Sequence, residues 1–316
     1  MKKSLTSLFE SLKASNSPHI CATPIPWSTP HRLARYPSGE AAIFIAVDQN
    51  INHPPSETEH LTISHGVGAE VTQEDSLISS QSHFSIIKCK SIDFIPTFLN
   101  VANFFVDDIG TYSTPKQVVD KVQHLAELFK ALQSPPKKSI QGLWAELLVI
   151  YCSEKCSTLV EAWRGNTDER YDFSLNEERL EVKSTDSQIR SHYFSLLQIR
   201  PNSAIKVVIA SLFVKAAANG VSLRELKERI FSKLGDDHTL CFKVDTVVFD
   251  TLGSGYEVGL STKYDLDEAI SSLAFYASEE IPSVPTLLPD SITEVRFKSD
   301  LTLCSALEST ESFILV

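Results

Sequence analysis

The chain has 316 residues, 42% hydrophobic and 22% charged, the balance of a globular protein with room for two modest domains or one large one. Its formal net charge of -11 excludes a protein that coats nucleic acid through bulk positive charge. No apolar run reaches the roughly 18 residues that a membrane helix needs, so no transmembrane span and no membrane partner are expected.

Met1-Lys2-Lys3-Ser4-Leu5 starts basic in the manner of a signal peptide, but Glu10, Lys13 and Asn16 interrupt any apolar stretch behind it. The segment reads as a short amphipathic helix of a cytoplasmic protein. The first hundred residues read mostly as strands and turns. Ala41–Val47 follows a Pro37-Ser38-Gly39 turn and predicts a buried strand. His53-Pro54-Pro55-Ser56 predicts a loop, and Phe84-Ser85-Ile86-Ile87 alternates weakly. Phe94 to Val106 is apolar and fits helix or strand.

Helical periodicity then takes over at Val118, Val122, Leu125, Phe129 and Leu132, with Pro115 just before and Ser134-Pro135-Pro136 behind. A second helix starts at Ser139, a suitable N-cap, with the apolar arc Ile140, Leu143, Trp144, Leu147, Leu148 and Tyr151. Short strands are expected at Thr158–Trp163, Tyr171–Leu175 and Arg179–Ser184, then a short helix near Ser195–Arg200 and a fully buried strand from Ile205 to Val214. Ser222-Leu223-Arg224-Glu225 is a capping box opening a helix to about Leu234. Beyond it, strand and turn signals surround one more helix, roughly Asp265–Ala277. The six cysteines are scattered, and Cys152 with Cys156 reads as two buried helix cysteines rather than a zinc pair.

The order from Ser139 to Val214 is helix, three strands, helix, strand, which predicts an α/β or α+β fold with a mixed sheet covered by helices. Three regions follow: a β-rich acidic domain over 1–112 with an interaction or regulatory role, a core over 113–214, and an α+β region over 215–316 packed on that core. Charge divides along the chain. No Lys or Arg occurs between Arg35 and Lys88, whereas Lys183, Arg190, Arg200, Lys206, Lys215, Arg224, Lys227, Arg229 and Lys233 dominate the stretch from Val182 to Lys233. A phosphate-binding surface belongs in that second stretch. For its Arg224–Lys233 part, a solvated helix face explains the charge equally well.

The chemistry lies in Tyr171-Asp172-Phe173-Ser174-Leu175 and Arg179-Leu180-Glu181-Val182-Lys183. Each segment alternates one apolar and one polar face. A hairpin turning at Asn176-Glu177 sets Phe173 against Leu180 and Asp172 against Glu181, and an odd loop would mix the faces. Opposed carboxylates destabilise a sheet unless something positive lies between them. Lys183 and a divalent cation, Mg²⁺ or Mn²⁺, are the two candidates. Glu146 sits at the edge of an apolar helical arc, where a carboxylate needs a partner, and would reach the same cluster. In this reading Asp172, Glu181 and Glu146 hold the metal, Lys183 steadies the reacting water or the developing charge, and Arg190, His192 and Gln198 grip phosphate or orient the nucleophile. A satisfied structural histidine is the simpler account of His192.

These residues resemble the PD-(D/E)XK nuclease superfamily, whose core runs helix, three strands, helix, strand. Its acidic positions fall here on Glu146, Asp172 and Glu181-Val182-Lys183, with Tyr171 where the name motif has proline. More narrowly, Gly142-Leu143-Trp144-Ala145-Glu146-Leu147, Trp163-Arg164-Gly165, Tyr171-Asp172-Phe173, Glu181-Val182-Lys183-Ser184, Arg190-Ser191-His192 and Ser195-Leu196-Leu197-Gln198 resemble a bacterial PD-(D/E)XK-motif family found in restriction or phage-defence gene clusters. The resemblance implies a restriction-endonuclease-like fold and a Mg²⁺-dependent endonuclease acting on DNA. Its site would comprise Asp172, Glu181, Lys183, Glu146 and Gln198, with Arg190, His192 and Arg200 on nucleic acid. It also implies a homodimer or a complex with ATPase, helicase or methyltransferase subunits. A non-catalytic scaffolding subunit and a nuclease for RNA or branched DNA are the competing readings.

Overall fold

The computed structural model describes residues 4–12, 19–47, 53–72, 79–109, 114–131, 135–164, 170–201, 205–285, 289, 291–292 and 294–308. Leu132, Ser134 and Gly165, used above, lie outside the described residues, as do Lys13, Asn16 and Met1 to Lys3. The chain divides into two compact units, 1–134 and 135–316. The helix with the Val118 periodicity therefore belongs to the first unit rather than to the core. The stretches 135–214 and 215–316 lie together in the second unit.

In the first unit, α1 (Leu5–Ser11) is capped by Ser4, whose hydroxyl accepts the Ser7 N–H, and it buries Leu5 and Phe9. The strands are β1 (Cys21–Pro24), β2 (Arg32–Arg35), β3 (Ala41–Val47), β4 (Ser56–Glu57), β5 (Leu61–Thr72) and β6 (Ser79–Cys89). They build one antiparallel sheet in the order β1-β2-β3-β6-β5-β4. Register explains the apolar run of β3. Leu33, Ile43, Ile87 and Ile63 stand side by side across four strands, and all are buried. The ambiguous apolar segment is helical: α2 (Ile95–Ile109) buries Phe98, Leu99, Ala102, Phe105 and Val106 at helical spacing. Then α3 (Pro115–Ala131) begins with its proline at the first turn, where a missing N–H costs nothing.

The second unit opens with α4 (Ile140–Cys152), where the Ser139 hydroxyl accepts the Gly142 N–H at 3.0 Å. Next come α5 (Cys156–Ala162), β7 (Phe173–Leu175), β8 (Glu178–Thr185), β9 (Ser191–Ser195), α6 (Leu196–Ile199) and β10 (Lys206–Phe213). The remainder is β11 (Ala216–Ser222), α7 (Leu223–Leu234), α8 (His238–Leu252), α9 (Tyr256–Ser261), β12 (Lys263–Tyr264), α10 (Leu266–Ser272), β13 (Ala274–Ala277) and β14 (Arg296–Asp300). A mixed sheet runs β13-β10-β8-β7, with β8 and β10 parallel inside and antiparallel strands on both edges. Every residue of α4 from Leu143 to Ile150 is buried, because the helix packs against β8, α5, α7 and α8 at once. This is the restriction-endonuclease-like α/β arrangement. No helix among the described residues is long and apolar enough to cross a membrane.

Three sequence readings need correction. The expected strand Thr158–Trp163 is the helix α5, and only Trp163 makes an isolated bridge, to Phe173. The third core strand is instead β9, which pairs with β14 outside the mixed sheet. The expected helix Asp265–Ala277 ends at Ser272, and Ala274–Ala277 becomes the edge strand β13 on β10. The fifteen-residue helix α8 stands where the sequence predicts strand and turn. Cys152 closes α4 half-buried and Cys156 opens α5 buried, both as free thiols.

Candidate active site

The site starts from a two-residue turn. Leu175 pairs with Glu178, Ser174 with Arg179 and Phe173 with Leu180, leaving Asn176-Glu177 as the loop. Asn176 takes a positive φ of 49°, a conformation that asparagine tolerates better than most residues. The register carried one step outward brings Asp172 beside Glu181, as parity requires. Both are nearly inaccessible, at 3% and 6% exposure. Glu181 pairs with Ile209 and Lys183 with Ser211 on the parallel strand β10, which anchors the charged row to the most buried strand of the sheet.

Each acid has its own set of partners. Asp172 accepts the Val182 N–H at 2.8 Å on one oxygen and the Lys138 ammonium on the other. Lys138 also reaches Glu146 at 3.0 Å. The second oxygen of Glu146 accepts the Trp163 indole N–H at 2.7 Å and an Arg164 N–H at 2.9 Å. Arg164 in turn donates to the Thr251 hydroxyl of α8, and its backbone N–H bonds the Asp172 carbonyl at 3.0 Å. The Trp163-Arg164 segment therefore holds both Glu146 and the backbone of Asp172. Glu181 accepts Lys183 at 2.7 Å and the Gln198 amide at 3.1 Å. Gln198 closes a capping box with Ser195 and also donates to the Arg170 carbonyl at 2.9 Å.

Burial sets the electrostatics. It pushes the Glu181 carboxyl up to about 7, with the Asp172 charge adding to the rise and Lys183 opposing it. Glu146 is likewise raised, by burial first and Asp172 second, against the pull of Arg164 and Lys138. Burial alone would lower the Lys138 ammonium, but the two carboxylates outweigh it and the net shift is upward.

The structure brings Glu146, Asp172, Glu181, Lys183 and Gln198 into one linked network, and it employs the other three candidates elsewhere. Arg190 donates to the Ser211 carbonyl, the Ser211 hydroxyl and the Ser272 carbonyl, and lies over the Phe213 ring. Arg200 holds the carbonyls of Ser278, Glu279 and Ile281. His192 is buried with Nε2 at 2.7 Å from the Ser211 hydroxyl, and burial with nearby Lys183, Arg190 and Lys298 drives its pKa down to about 4. All three side chains thus bond to neighbouring backbone carbonyls or to the Ser211 hydroxyl. Lys138, Trp163 and Arg164 carried no assigned role in the sequence reading. One signal was available: Lys137-Lys138 stands immediately ahead of a helix N-terminus, where the helix dipole disfavours cations.

Two facing, buried carboxylates with oxygen donors only suit a hard divalent cation. Among the described residues, however, no group of three or more His, Cys, Asp or Glu side chains is arranged to hold a metal ion. The expected triad of Asp172, Glu181 and Glu146 is not a shared cage here, because the Lys138 ammonium joins Glu146 to Asp172. The carboxylate oxygens of Asp172 and Glu181 are the donor type such an ion takes, and the Lys138 ammonium lies between Asp172 and Glu146.

A family model described as "Putative PD-(D/E)XK family member, (DUF4420)" matches residues 5–302. No curated protein and no solved structure matches the chain.

Proposed function

The chain belongs to this PD-(D/E)XK family, which spans nearly its whole length, and on that premise we propose that it is a Mg²⁺-dependent endonuclease hydrolysing DNA phosphodiester bonds. The observation that carries the reading is the pair Asp172 and Glu181, both buried at the mixed sheet, with Lys183 on the second of them. Two like charges in that position need positive charge between them, which Lys138 and Lys183 supply in part and a divalent cation would supply in full.

Asp172 and Glu181 would hold the divalent ion. When bound, Mg²⁺ polarises a phosphoryl oxygen and makes water a stronger nucleophile at neutral pH. The chain's own groups set the geometry. The Val182 N–H fixes one oxygen of Asp172, so its other oxygen points into the site. Gln198 fixes the Glu181 carboxylate from α6. Lys183 is a compact positive charge beside Glu181, suited to stabilising the extra negative charge on phosphorus as water adds and before the ester oxygen leaves. Glu146, clamped by Trp163 and Arg164, adds a third fixed carboxylate next to Asp172.

The resemblance of its motifs to a family of restriction and phage-defence loci favours a defence role, in which the chain would act as a homodimer or with motor or methylation subunits. The acidic first unit would then serve for protein contact or regulation. The test is cleavage of plasmid DNA, a branched junction and a structured RNA by the full chain with Mg²⁺ or Mn²⁺. Glu181→Ala and Lys183→Ala are each expected to abolish cleavage while leaving the circular-dichroism spectrum intact. Cleavage by either variant at the wild-type rate would remove this site assignment. Cutting confined to the junction or the RNA would change the substrate and keep the site.

A further inference from the structure

Lys138 is the feature that the nuclease reading leaves unused. Its ammonium joins Glu146 to Asp172, two carboxylates at 2% and 3% exposure, yet its own side chain is 42% exposed. The backbone beneath it is fixed, since the neighbouring Lys137 N–H bonds the Thr251 carbonyl at 2.9 Å and Ser139 caps α4. The stem is therefore anchored at its backbone end and partly open to solvent along its length, while the ammonium sits against the two buried acids. Arg164, the other cation on Glu146, differs in kind. It is less exposed at 24%, and its guanidinium is tied to the buried Thr251 hydroxyl of α8. A four-carbon ammonium can swing away at small cost, whereas a fork held at both ends cannot.

We propose that Lys138 is an exchangeable counter-cation. It holds Glu146 and Asp172 in place in the metal-free protein and yields that position to the divalent ion. The proposal rests on the metal-dependent nuclease reading and deepens it. Two buried carboxylates without a positive charge are costly, and removing one partner of a buried pair is strongly destabilising. A lysine supplies one unit of that charge, and the divalent ion supplies two. Glu146, freed of the lysine, would then be available to the ion as a third carboxylate beside Asp172 and Glu181.

The experiment is calorimetric titration and thermal unfolding of the full chain with MnCl₂ alone, without nucleic acid, for wild type, Lys138→Met and Lys138→Gln. If the lysine holds its place in about nine molecules of ten, removing it tightens Mn²⁺ binding about tenfold. Lys138→Met is expected to melt below wild type in EDTA and to close that gap at saturating Mn²⁺. Lys138→Gln, which keeps a donor for the carboxylates, is expected to move in the same direction by less, and it carries the test if the Met variant does not fold. Mn²⁺ affinity equal to or weaker than wild type in the folded variants overturns the proposal, as does an undiminished melting temperature in EDTA. If wild type itself binds no Mn²⁺ and cuts no nucleic acid, the nuclease reading fails and takes this one with it. If wild type binds and cuts while the variants bind no tighter, only the exchange role is lost.

Discussion

Acidification is expected to weaken the second unit through one buried imidazole. His192 is 4% exposed, and its pKa falls from the ordinary 6.5 to about 4, chiefly because burial penalises the charged ring. A depressed folded-state pKa means that the unfolded chain binds the proton first. The contribution is complete above pH 6.5 and is lost as pH falls toward 4. At about 1.4 kcal/mol per pH unit, the full effect is about 3 kcal/mol, of which about 2 kcal/mol is gone by pH 5. The perturbation is His192→Gln, whose amide keeps a hydrogen-bonding group near the Ser211 hydroxyl but cannot titrate. The assay is urea unfolding in EDTA from pH 5 to pH 8, followed by tryptophan fluorescence. Trp144 and Trp163 belong to the second unit and Trp27 to the first, so most of the signal reports the relevant half. The stability difference between wild type and variant should grow in the variant's favour by about 2 kcal/mol between pH 7 and pH 5. If the two chains lose stability in parallel over that range, the burial account of His192 is refuted.

Glu181 carries the opposite sign. Its folded-state pKa is raised from 4.5 to about 7, so the native state holds the proton longer, and the carboxyl costs stability as pH rises through 7. In EDTA, Glu181→Gln should exceed wild type at pH 8 by up to about 3 kcal/mol, less what Lys183 loses with its acceptor, and the gap should close toward pH 5. A gap independent of pH would count against a buried, metal-free carboxylate. Arg190→Ala should lower unfolding stability by about 3 kcal/mol through its lost charged hydrogen bonds, while DNA affinity and its salt dependence stay unchanged. Weaker DNA binding at wild-type stability would return Arg190 to the nucleic-acid face.

What the sequence made legible were patterns decided within a few residues. The Phe173–Leu180 register followed from alternation and an even loop, and the Ser139 and Ser222 caps from side chains three residues from their targets. What it hid was decided by distant packing. Around α5, Thr158, Val160 and the capping Trp163 favour strands, yet Cys156, Leu159, Val160 and Ala162 are buried within a helix. In α8 the β-branched run Val244 to Thr251 masked a helical series of Leu240, Cys241, Val244, Val247, Val248 and Leu252. The basic side chains Arg190 and Arg200 looked available for phosphate because sequence does not show which backbone carbonyls lie within reach. Lys138 escaped for the same reason, since its two acids lie 8 and 34 residues away.

The second unit contains two capping boxes that differ in one atom of chemistry. Ser222 pairs with Glu225, and Ser195 pairs with Gln198. Either residue type closes such a box equally well by itself. At Gln198 the side-chain oxygen faces the Ser195 N–H, which leaves the amide nitrogen turned toward Glu181 and the Arg170 carbonyl, both acceptors. A glutamate there would still close the helix, but it would set a second negative oxygen against a buried carboxylate. The choice between two interchangeable caps is thus made by a neighbour seventeen residues upstream. In relatives of this chain, an amide at this position should accompany the acid, and where the acid is lost the position should be free to become glutamate.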